Sequence, residues 1–175
     1  MSGKYNTLVQ LDEQVQTAWA QVENVYQRRL DLIPNLVATV KGEANFEQET
    51  LTQITEARAS ATKMTVDVKD VQEMTDFQTQ QQGISQALGR LLVASENYPE
   101  LKANQAFSDL RVQLEGTENR ITTERMNYNT TAQTYNTTIR SFPTNLLASL
   151  FGFMRANLFE ANEGAEVAPI VDFTN

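Results

Sequence analysis

Apolar side chains recur at helical spacing along most of this chain, with few residues that would break a helix. Leu8, Leu11, Val15, Ala18, Val22 and Val25 are separated by three, four, three, four and three residues. That is the seam of a helix packed lengthwise against other helices. From Tyr26 the stripe continues as Leu30, Ile33, Val37 and Val40, displaced by one residue; such a stutter locally relaxes supercoiling. With only 7 Gly and 4 Pro in 175 residues, long helices are favoured over β-structure or disorder.

The periodicity predicts helices over about 5–41, 44–64, 70–97 and 103–142, a short further piece over 144–158, and an irregular tail at 161–175. Pro34 lies inside the first helix, where it should kink or restart it, and Gly42 suits a C-terminal cap. The third seam runs through Met74, Phe77, Gln81, Ile84, Leu88, Leu91 and Ser95, with Gln81 and Ser95 as polar interruptions. Tyr98-Pro99 ends that helix, because proline disfavours helical geometry in the residue before it. In the fourth, Phe107, Leu110, Leu114, Thr117 and Ile121 form one seam and Tyr128, Ala132, Tyr135, Ile139 and Phe142 a second, with a slip near Glu124-Arg125.

Short connections make sequential helices antiparallel neighbours. The expected fold is therefore all-α: an up-and-down antiparallel four-helix bundle in one domain over 1–160, with two long outer helices (first and last) and two shorter ones. Setting Tyr5 opposite Phe142 places Tyr26 near Ile121, so both stripes slip at one level. Arg28, Arg29, Glu118, Glu124 and Arg125 should lie close to it.

Composition removes several kinds of chemistry. There is no cysteine and no histidine, which excludes disulfides, thiol nucleophiles, His-based acid–base catalysis and Cys/His zinc sites. It also excludes a ferritin-like di-metal bundle, which needs inward Glu-x-x-His motifs. No cofactor is expected. The net charge of −8 opposes binding to phosphate backbones and to anionic lipid headgroups alike, so nucleic acid is not an expected partner. No run of 18 apolar residues spans a bilayer, and the opening Met1-Ser2-Gly3-Lys4 has no signal-peptide character.

The most polar constellation is Arg28, Arg29 and Asp31 facing Glu118 and Arg125. It could bind an anionic group or a peptide terminus; a register-setting ion-pair network between the long helices is the more ordinary role of polar groups in a seam. Tyr5-Asn6, Tyr128-Asn129 and Tyr135-Asn136 repeat a pair, the last two seven residues apart on one face. Their rings suit core layers with the hydroxyls at the boundary better than a ligand-stacking platform. Asn129-Thr130-Thr131 and Asn136-Thr137-Thr138 match the glycosylation pattern, by chance if they lie on a helix beside core tyrosines. Among Glu56, Glu96, Glu115 and Glu118 no pair stands out for acid–base work. Gly83, Gly89 and Gly116, inside helices, suit either close helix approach or local flexibility. The apolar cluster from Phe142 to Phe159 should pack back on the bundle, with an assembly surface or a membrane interface as the other roles open to it.

Several of these residues also form a family pattern. Tyr5-Asn6-Thr7-Leu8-Val9, Arg28 through Val37 with Pro34-Asn35, Tyr98-Pro99-Glu100-Leu101-Lys102-Ala103-Asn104, Thr117 through Ile121, Tyr128-Asn129, Tyr135-Asn136, Phe142-Pro143 and Phe159-Glu160-Ala161 through Phe173 together resemble LemA family proteins. The resemblance implies a bacterial membrane protein with one N-terminal transmembrane helix just before the Tyr-Asn pair and a helical bundle behind it. It carries no established enzymatic chemistry. This sequence lacks that anchor, either removed or absent from a soluble member. The expectation is a non-enzymatic structural or interaction module with protein partners or self-association, located at the bacterial cell membrane. The alternatives are a ligand- or peptide-binding bundle and a soluble self-assembling protein.

Overall fold

The computed structural model describes residues 2–43, 45–62 and 65–160. These form six helices: α1 (Ser2–Lys41), α2 (Gln48–Ala61), α3 (Val71–Ser95), α4 (Pro99–Ala103), α5 (Gln105–Arg140) and α6 (Thr144–Phe151). The described residues contain no strand. α1 and α5 lie against each other along their length, and α2 packs on α3 and α1. The fold is all-α, as expected, but six helices stand where four and a short further piece over 144–158 were expected.

Local chemistry accounts for the extra element, α4, and for where α6 stops. Asn104 ends α4 through its backbone N–H, which donates to Leu101 O at 3.1 Å. Its side-chain Oδ1 then accepts from Phe107 N at 3.1 Å and starts α5. α4 thus occupies the connection left between the expected helices at 97 and 103, one extended residue separates it from α5, and the side chain supplies the missing N-terminal partner. α6 stops at Phe151 rather than running on to 158. Gly152 there adopts φ 73°, and Phe153 N donates back to Ala148 O at 2.9 Å, closing the helix in a Schellman turn. Residues 153–160 follow as an extended strap.

Two further boundaries differ. α1 passes through Pro34 without restarting. Proline has no N–H for the carbonyl four residues back, and the released Leu30 O instead accepts Arg58 Nε of α2 at 3.1 Å. A neighbouring helix supplies the lost donor. α2 begins at Gln48 rather than near 44, because Asn45 has φ 75° and Glu47 is extended; the expected ends at Ala44 and Met64 lie outside the described residues. α3 starts close to expectation because Asp70 caps it, accepting from Gln72 N at 2.8 Å and Glu73 N at 3.0 Å.

The interior divides into two apolar clusters. One, toward the start of α1, gathers Leu8, Trp19, Tyr26, Phe77, Tyr128, Tyr135 and Phe159. The other gathers Leu30, Leu36, Ile54, Ile84, Leu91 and Phe107. α2 has 14 residues against 40 in α1, roughly 21 Å against 60 Å, and it contributes only to the second cluster. In the first its place is taken by Val68, α6 and the strap, through Ala148, Ala156 and Phe159.

The helical glycines can now be sorted. A methyl group added at Gly83, Gly89 or Gly116 would meet nothing within 4 Å, so close helix approach does not explain them. Replacing any one with alanine should raise stability by about 0.5–1 kcal/mol, read as a higher urea midpoint with unchanged slope. A lower midpoint would show that one of these positions needs glycine.

Candidate functional site

Arg29 sits where the stripe of α1 slips, and the slip turns it inward. It is 1% exposed and lies between the two apolar clusters. Its Nη1 donates to Ser85 Oγ at 2.7 Å and Glu118 Oε1 at 2.9 Å. Its Nη2 donates to Gln81 O at 3.0 Å and Gln81 Oε1 at 2.7 Å. The guanidinium also stands 5.1 Å from the centre of the Tyr26 ring. Burying such a charge costs several kcal/mol, and a carboxylate plus three neutral acceptors offset it. Nε remains without a partner.

Beside this layer α3 and α5 stand apart, leaving an open cleft of about 680 Å³. Tyr26 and Arg29 form its floor, Gln78 and Gln82 one wall, and Ile121 and Thr122 the other. Burial pushes the Tyr26 phenol above its usual range, opposed by the Arg125 and Arg29 charges beside it. Arg125 closes the upper end: its guanidinium lies 4.7 Å over the Phe159 ring and donates to Glu160 O at 3.2 Å.

Above the cleft the strap already fills the continuation of the same groove. Asn129 and Asn136 each grip its backbone twice. Asn136 Nδ2 donates to Ala156 O at 2.8 Å and Ala156 N donates to Asn136 Oδ1 at 2.9 Å. Asn129 Nδ2 donates to Phe159 O at 3.1 Å and Phe159 N donates to Asn129 Oδ1 at 2.8 Å. Tyr135 and Tyr128 hydroxyls donate to Met154 O at 2.8 Å and Asn157 O at 2.7 Å. Seven helical residues rise ~10.5 Å, and three extended residues span about 10 Å. A pair repeated every seven residues on α5 therefore meets the strap every three. The amides that matched a glycosylation pattern are spent on this pairing, and burial pushes both phenols up.

A sequence model of the LemA family matches residues 18–173. The chain belongs to the LemA family. Its relatives include protein LemA of Metamycoplasma hominis, 27% identical over 92% of this chain and 71% of that protein. Magnetosome proteins MamQ 1 and MamQ 2 of Paramagnetospirillum magneticum are each 27% identical over 96% of this chain and 68% of theirs. The family match takes in Arg29, the cleft and both Tyr-Asn clamps of this LemA chain.

The sequence-named residues do not all converge. Arg29, Glu118 and Arg125 meet at the cleft. Arg28 and Asp31 are exposed, and Asp31 accepts from Gln27 Nε2 at 2.9 Å. Glu124 faces Arg120 at 3.9 Å. Tyr26 and Ile121 share the cleft, as the register argument required. Tyr5, however, packs on Phe151 and Phe153, ring centres 4.8 and 6.1 Å away, while Phe142 is exposed; Asn6 is exposed beside it. Pro34 and Asn35 lie on the outer surface of α1. Tyr98, Pro99 and Asn104 lie at the far end, where the Tyr98 hydroxyl donates to Asn45 O at 3.1 Å. Sequence reasoning missed Ser85 entirely. Gln81 was visible as a polar break in the seam of α3, though the seam by itself gave that break no role. Among the described residues no group of three or more carboxylates is placed to hold a metal ion.

Arg28 and Arg29 should respond differently to truncation. Arg29→Ala should cost about 2–3 kcal/mol, less than the 3–5 of a fully buried pair because Glu118 is half exposed. Arg28→Ala should change stability by less than about 0.5 kcal/mol. Urea denaturation of the two variants makes the comparison, and equal losses would contradict it. Asn136→Ala strands a buried N–H and carbonyl of Ala156 and should cost about 2–4 kcal/mol by the same measurement; a loss below 1 would mean that the strap is not held this way.

Proposed function

We propose that this LemA-family bundle is a non-enzymatic interaction module, held at a bacterial membrane by a segment outside this sequence. We propose further that it engages its partner by taking an extended peptide into the cleft between α3 and α5. One observation carries this reading: the chain already binds an extended segment of itself in the same groove, directly above the cleft. The chemistry of the cleft suits a second such segment. Gln78 Oε1 accepts Glu160 N at 3.3 Å, and its neighbour Gln82 presents the same donor-plus-acceptor amide to a peptide backbone. Arg125 and Arg29 favour a carboxylate at one end. Tyr26, kept protonated by burial, serves as a hydrogen-bonding group rather than a base.

The test is site-specific photo-crosslinking in bacterial cells that carry the protein with its own upstream sequence. A photoreactive residue at Gln82 should give one discrete adduct whose attached peptide maps to a single segment, and Arg125→Ala should weaken it. The same residue at exposed Gln14, away from the cleft, should not give it. Adducts of equal yield at both positions would overturn the cleft reading. A protein released from membranes by a carbonate wash would overturn the tethering.

A further inference from the structure

The end of the bundle where α1 begins and α5 finishes carries large apolar side chains that the described residues leave exposed. Phe142 is 82% exposed, Leu146 63%, Leu150 75%, Phe151 54% and Met154 59%. α6 turns Thr144 and Ala148 inward, which leaves Leu146 and Leu150, one turn apart, facing out. Large apolar side chains gathered in this way mark a contact surface rather than ordinary exposure.

Among the described residues the charges around this patch are of one sign. Lys4, Arg140 and Arg155 are exposed there, and residues 2–11 and 126–158 contain no Asp or Glu. Of the next carboxylates along the bundle, Asp12 accepts Lys69 Nζ at 2.7 Å and Asp67 accepts Lys69 N at 2.9 Å, while Glu13 is exposed to solvent about 13 Å along α1 from Lys4. A chain of net charge −8 thus presents a cationic, apolar tip.

We infer that this tip is an interfacial docking face for an anionic lipid bilayer. Phe142, Leu146, Leu150, Phe151 and Met154 enter the boundary between headgroups and acyl chains, and Lys4, Arg140 and Arg155 lie among the headgroups. α6 has 8 residues, far short of the ~20 needed to span, so it lies in the interface plane. Charge argues against a second copy as the occupant, since two tips face to face would oppose like charges with no carboxylate from the described residues of either tip between them. The acidic remainder is repelled by the same lipid surface, so the bundle stands on its tip. Arg29, 24 residues along α1 from Tyr5, then sits roughly 36 Å from the bilayer, where the cleft stays open to a partner. The inference goes beyond the proposed function and does not need its tether.

The 175-residue chain is floated with vesicles of phosphatidylcholine alone and of phosphatidylcholine with phosphatidylglycerol. It should float with the anionic vesicles only. Leu146→Ser with Leu150→Ser should reduce binding at least tenfold, and each of Lys4→Gln, Arg140→Gln and Arg155→Gln about fivefold. Helical content by circular dichroism should stay unchanged, because these side chains are exposed. No flotation on anionic vesicles overturns the inference, as does flotation that the leucine variants leave intact. A concentration-dependent dimer lost in Leu150→Ser, without vesicle binding, would assign the tip to a second copy. None of these outcomes bears on the adduct at Gln82, so the two readings fail separately.

Discussion

A guanidinium in the middle of a helical bundle must find its acceptors there, and only one alignment of three helices supplies them. Arg29 of α1 reaches Gln81 and Ser85 on α3 and Glu118 on α5. Sliding any of these helices by one turn moves the acceptors ~5.4 Å, out of hydrogen-bond range, and leaves the charge buried alone. The apolar seams are less particular, since a stripe of leucines and valines packs in neighbouring registers with small loss. The polar layer therefore decides the alignment and divides the interior into two clusters. It also leaves beside it the cleft from which the functional proposal starts.

The remaining architecture answers a shortage. α2 is too short to cover the upper half of the long pair, and an apolar face there would otherwise meet water. The strap covers it with Phe159, which stacks among Trp19, Phe77 and Tyr128. An extended segment cannot satisfy its own backbone. The Asn and Tyr side chains of α5 do so instead, at a spacing set by the ratio of helical to extended rise. The clamps and the aromatic stack thus depend on each other, and both end where the cleft begins.

Much of this was legible in the chain. The helices could be read because a stripe repeating near 3.6 residues can be buried in no other regular conformation, and Tyr98-Pro99 announced a break that the structure keeps, with α3 ending at Ser95. The shared level of Tyr26 and Ile121 followed from the two slips alone. Other features lay beyond such reading. Arg28 and Arg29 are adjacent at a stutter, where a one-residue phase error exchanges the buried and exposed positions, so periodicity could not separate them. The strap carries no periodic signal, and the Tyr-Asn pairs that hold it read naturally as core residues.

The sequence by itself determined that the chain is helical, that its two long helices run antiparallel, and that thiol, imidazole and Cys/His zinc chemistry have no residues to supply them. These are consequences of residue type and spacing, which act locally. Only the tertiary structure decided which arginine is buried, what replaces the fourth helix in the upper half, and where α3 and α5 part. Those outcomes depend on which polar groups meet across helices distant in sequence, and no local pattern encodes the meeting.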